Sequence, residues 1–137
     1  MKRDIKGARS VVQGPSQRQL RAGELVRHAL ADIFRAEDLH DDLLANISVT
    51  ITEVRMSHDL KHATCFVEPL GGVQAGEVVK ALNRHVKFLR GRLGREIDMK
   101  FTPALRFLHD ESFAEAQRME ALFNRPEIRR DIDSKDD

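Results

Sequence analysis

The sequence predicts an α+β domain of order α-β-β-α-β, with a three-stranded sheet, its helices on one face and a short terminal helix. Three observations predict it. Val78, Val79, Leu82, Val86, Leu89 and Leu93 recur at intervals of three or four, the mark of a one-sided helical stripe. Ile47, Val49 and Ile51, then Ala63, Cys65 and Val67, alternate on either side of a short connection, which demands an antiparallel hairpin. Ile97, Met99, Phe101, Pro103, Leu105, Phe107 and His109 hold alternate positions without a slip, giving a third strand.

The elements follow in chain order. Residues 1–16 read as a flexible basic arm, with Gly7, Gly14 and Pro15 among charges and no sustained periodicity. A helix is expected from Gln17 to Glu37, with Ser16 as N-cap and Ala22, Val26, Leu30 and Ile33 on its buried stripe. Gly23 weakens that helix by about 1 kcal/mol relative to alanine and suits close packing. In the first strand the apolar phase slips after Ile51 to Val54 and Met56, so a bulge is expected near Thr52–Glu53. Ser57-His58-Asp59-Leu60 is a turn, because Ser and Asp side chains bond the local backbone. The second strand runs from Lys61 to Glu68, and Pro69 with Gly71-Gly72 ends it. The amphipathic helix begins near Ala75 and is expected to stop at Gly94. The third strand is expected over Ile97–His109, and Pro103, lacking a donor, places it at a sheet edge or bends it. Ser112 and Glu115 fit a capping box opening a final helix, in which Met119, Leu122 and Phe123 are apolar. Residues 17–123 thus form the domain, and residues 124–137 a charged flexible tail.

Composition narrows the function. The 137 residues suffice for a core without disulfide or metal, and the single cysteine excludes an internal disulfide. Cys65 sits in an apolar run and reads as a small buried hydrophobe. No apolar run reaches a membrane span, and no secretory signal is expected at the start. Net charge is only +1, yet the charges segregate. Lys80, Arg84, Lys87, Arg90, Arg92 and Arg95 crowd one helix, while Asp38, Asp41 and Asp42 form an acidic stretch. Segregation of this kind favours an oriented electrostatic partner such as a phosphate backbone. A solvated helix face explains the same charges, so this stretch alone leaves both readings open.

Catalytic and metal motifs fail on geometry. Ser57-His58-Asp59 has triad letters, but neighbours in sequence cannot aim at one another as a triad requires. His58 and His62 lack a third ligand, so no metal site is expected. The acidic stretch lacks the spaced acceptors of a calcium loop and reads as a solvated helix exit. Gly91-Arg92-Leu93-Gly94 matches the GxxG of KH loops, but alternation resumes directly after it, so it reads as a helix end. No enzyme is expected.

Three segments are specific when taken together and in this order: the strand–turn–strand Val49-Thr50-Ile51-Thr52-Glu53-Val54-Arg55-Met56-Ser57-His58-Asp59-Leu60-Lys61-His62-Ala63, the element Phe88-Leu89-Arg90-Gly91-Arg92-Leu93-Gly94, and Pro103-Ala104-Leu105-Arg106-Phe107-Leu108-His109-Asp110-Glu111-Ser112. With them the sequence resembles the ribosome-binding factor A family of bacterial small-subunit maturation factors. The resemblance covers about Pro15 to Phe123. It implies a type II KH-like fold, α-β-β-α-(kink)-α-β. It implies a cytoplasmic, non-catalytic ribosome assembly factor without a cofactor, binding free 30S subunits and 16S rRNA. Late 16S rRNA processing, growth in the cold and release by a ribosome-associated GTPase come with it. A monomer is expected. The family's helix kink carries Ala-x-Gly, and the matching positions here are His85, Val86 and Lys87. Without the glycine the kink loses its usual cause, and the apolar stripe runs unbroken from Val78 to Leu93. Arg84, Lys87, Arg90, Arg92 and Arg95, with Arg18 and Arg21, are expected to contact rRNA phosphates while rRNA shape supplies specificity. The alternatives are a KH-like RNA-binding module acting outside ribosome assembly, and a protein–protein adaptor using the acidic loop and tails.

Overall fold

A computed structural model describes residues 14–36 and 39–123. The basic arm before Gly14, Glu37 with Asp38, and the tail after Phe123 lie outside the described residues. Helix α1 spans Gln17–Arg35. The Ser16 hydroxyl accepts the Gln19 N–H, and the Gln19 side-chain oxygen accepts the Ser16 N–H, completing a reciprocal cap. The Gln19 amide also donates to the Met56 carbonyl at 3.0 Å, so the cap ties the helix start to the sheet.

A short helix, α2 (Asp42–Ala45), replaces the solvated exit loop expected from the acidic stretch. Asp41 is its N-cap, accepting from the Leu43 and Leu44 amides. The signal was legible as an Asp before an apolar pair. Strand β1 (Val49–Met56) and strand β2 (His62–Pro69) form the expected antiparallel hairpin, with the register slipping between Ile51 and Glu53. That slip lets Ile51, Val54 and Met56 all face the core. In the hairpin turn the Ser57 hydroxyl donates to Asp59 at 2.6 Å, and Asp59 accepts the Lys61 N–H at 3.0 Å. Left-handed Gly71 and Gly72 lead the chain out of β2 in a single 3₁₀ turn, Leu70–Gly72.

Helix α3 (Ala75–Arg84) and helix α4 (Val86–Glu96) are separated by His85, whose φ of −103° and ψ of 16° interrupt the helix. Strand β3 is Ala104–His109 and pairs in parallel with β2, giving the order β1-β2-β3. Helix α5 spans Ser112–Phe123. The Asp110 carboxylate accepts both the N–H and the hydroxyl of Ser112, so Asp110 holds the start of this helix where a Ser112 cap was expected.

Two further expectations need correction. Gly94 does not end the helix, which continues to Glu96. A Cβ on Gly94 would lie 3.0 Å from the Thr102 hydroxyl, so the glycine serves close packing. Residues 97–103 are not strand despite their alternation. The Ala104 N–H bonds the Lys61 carbonyl, and β2 begins at His62, so nothing is left for 97–103 to pair with.

Helices α1, α3 and α4 cover one sheet face. Val26, Leu30, Val67, Val78, Leu89, Leu93 and Phe107 are wholly buried between the layers. Each contributes about 2 kcal/mol by leaving water.

Candidate nucleic-acid interface

The expected cationic residues divide into groups. Arg18 and Arg21 project from the start of α1 and wall a shallow cleft of about 380 Å³. The opposite walls are Asp59 and Leu60 of the hairpin turn and Met99, Lys100 and Phe101 of the loop before β3. Sequence reasoning missed Lys100, Phe101 and Lys61. The Lys61 ammonium lies 5.3 Å from the Phe101 ring centre and that of Lys100 lies 5.7 Å from it. Alternation alone assigned Phe101 to a buried strand face, and only the loss of the strand turned its ring outward.

Arg90 adjoins this cleft through Thr102, whose carbonyl accepts two guanidinium hydrogen bonds, at 3.2 and 2.8 Å. That makes Arg90 a clamp on the 97–103 loop as well as an exposed cation. Lys87 and Arg95 lie eight residues apart on the outer side of α4 and are both exposed. Arg92 is half-buried and, two residues from Arg90, points to a different flank. Arg84 stands apart from these. Its guanidinium is 3.7 Å from the Asp41 carboxylate, beyond the helix break.

At the break, the His85 Nε2 lies 2.9 Å from Asp41 Oδ2. An ionised carboxylate only accepts, so Nε2 carries the hydrogen. This hydrogen bond, with the Leu44 and Leu43 amides on Oδ1, holds the Asp41 carboxyl below its ordinary range. Val86 is half-buried beneath the break.

The remaining candidates resolve into structure. Ser57 and Asp59 bond each other within the turn, and the Ser57 hydroxyl lowers the Asp59 pKa. Burial pushes the Cys65 thiol up to about 12, so it is inert at neutral pH. Among the described residues no group of three His, Cys, Asp or Glu could hold a metal, and no helix is long and apolar enough to cross a membrane.

Apart from the short α2 and the terminal α5, the order α-β-β-α-α-β, with a parallel third strand and a broken helix pair on one face, defines a type II KH-like domain. Comparison with known proteins places it further. The family model for ribosome-binding factor A matches residues 18–123, and the chain belongs to that family. It is 65% identical over 132 residues to the ribosome-binding factor A of Phenylobacterium zucineum, covering 96% of this chain and 91% of that one. The crystal structure of ribosome-binding factor A from Thermus thermophilus superposes with a TM-score of 0.59 at 26% identity, covering 69% of this chain and 97% of that one. A Thermus thermophilus homology model, fitted into a cryo-EM map of a complex of that factor with the 30S subunit, matches at a TM-score of 0.52 and 27% identity. It covers 64% of this chain and 89% of that one.

Proposed function

We propose that this protein is a non-catalytic assembly factor that binds the free 30S subunit through 16S rRNA. In this reading it supports late 16S rRNA processing and small-subunit maturation, with a part in growth in the cold. It acts in the cytoplasm as a monomer without a cofactor, and a ribosome-associated GTPase promotes its release. The observation that carries this reading is the set of cations Arg18, Arg21 and Lys100 lining one cleft, with Lys61 against its Phe101, together with the exposed Lys87 and Arg95 of α4. The 30S complex of the Thermus thermophilus relative supports the choice of partner.

The rigid sheet and its helices fix the relative positions of these cations. Phosphate contacts then set orientation, while the shape of the folded rRNA selects the site. Preferential binding to an immature rRNA conformation shifts its population, and that requires weaker affinity for the mature form. Co-sedimentation with 30S subunits, 70S ribosomes and naked RNA at two salt concentrations tests this. Binding to free 30S that weakens with salt, with little to 70S, is expected. Reversing Lys87→Glu together with Arg95→Glu should weaken 30S binding at least about tenfold with the melting temperature unchanged. Equal binding to any RNA would leave a KH-like module with a different task.

A further inference from the structure

We infer that the cleft between α1, the hairpin turn and the 97–103 loop is a stacking site for one unpaired RNA base, with Phe101 as its platform. The inference rests on the rRNA-binding reading and names what that surface takes. Phe101 is 53% exposed, although its neighbours Ile97 and Pro103 are buried. An aromatic ring held outward on an anchored loop is costly to solvate and gains most from a flat partner. Arg90 clamps the Thr102 carbonyl next to it, and Gly94 lets Thr102 seat against α4, so the backbone that carries the ring is anchored. Leu25 and Met99 supply an apolar wall.

The rim selects the partner. Lys61 and Lys100 lie beside the ring, and Arg18 and Arg21 line the same cleft, against one carboxylate in that lining, Asp59, whose Oδ1 already accepts from Ser57 and the Lys61 amide. A cationic ring about an exposed aromatic fits a nucleotide: the base takes the ring face and the flanking phosphates take the lysine ammoniums. Both lysines sit near the ring in the free protein, so binding exchanges two cation–π contacts for stacking plus two phosphate contacts. Paired bases present only their edges, so the site requires a nucleotide outside a helix.

The test uses the full chain and free 30S subunits across a salt series, with ultraviolet cross-linking of each complex. Phe101→Ala should weaken binding about tenfold. Its salt slope should match that of the native protein, because no phosphate contact is lost. Phe101→Leu should fail to restore affinity, Phe101→Trp should restore it, and the Phe101 peptide should carry a nucleotide adduct. Unchanged affinity in Phe101→Ala, or full rescue by Leu, would overturn the stacking site while leaving the rRNA reading intact. A cross-link from Phe101 to a ribosomal protein would do the same. Absence of 30S binding by the native protein would overturn the reading beneath it. Melting curves of the variants separate any loss of fold from loss of contact.

Discussion

A Cβ on Gly23 would lie 2.5 Å from the Val54 carbonyl oxygen, closer than any side chain tolerates. Helix α1 therefore rests on β1 backbone to backbone, and the glycine is a packing residue despite its helical cost. Gly23→Ala should lower stability by about 2 kcal/mol, because the steric displacement outweighs the gain in helix propensity. Urea unfolding measures this, and a stabilised variant would refute the contact. Arg90 shows the opposite lesson. Its charge pattern marks it as a phosphate ligand, yet its guanidinium is bonded to Thr102. Arg90→Glu therefore disturbs the loop that carries Phe101 and is a poor probe of charge alone.

At the scale of elements, the decisive feature is the break between α3 and α4. The usual glycine is absent, and the stripe reads through it. The interruption coincides with a hydrogen bond from outside the helix, His85 to Asp41, and Asp41 also caps α2. One carboxylate thus joins the α1–α2 connection to the helix break. Asp41→Ala should lower the melting temperature by about 5 °C, and Asp41→Asn, which still caps, by less. The pH dependence has a defined sign. The Asp41 pKa is lowered by His85 and the capped amides, and those of Asp59 and Asp110 are lowered first by Ser57 and Ser112. Carboxyls depressed on folding stabilise fully above their ordinary range near 4 and lose that contribution as pH falls through their lowered values. Melting temperature should therefore fall below about pH 4, and less steeply in Asp41→Asn. Identical acid curves would remove Asp41 from this account.

For the whole molecule, the two sheet edges are treated differently. Along β3 the Asn83 amide donates to the Phe107 carbonyl at 3.0 Å and accepts its N–H at 2.9 Å, so α3 satisfies that edge at Phe107. The edge of β1 borders a groove of about 1010 Å³ floored by Ile47–Ile51. Among the described side chains, helix α5 adds none to the core. Its described side chains are exposed, with Met119 52% and Phe123 55% accessible. Removal of residues 115–137 should shift the melting temperature by less than about 3 °C. A larger loss would show α5 to be part of the cooperative unit expected over 17–123.

The order of amino acids encodes what short-range periodicity can carry: the α1 stripe with its Ser16 cap, the hairpin with its bulge after Ile51, and the buried Cys65. It also carried the family, through segments whose residue types recur in order. Tertiary structure alone decided what depends on a partner distant in the chain. Residues 97–103 alternate as a strand does, but β2 starts too late to pair with them, and this exposes Phe101. Gly94 reads as a helix stop until Thr102 is packed against it. The cleft joins side chains from near positions 20, 60 and 100, and no local pattern links them. Periodicity records which face of an element is apolar, whereas a site depends on which faces the fold brings together.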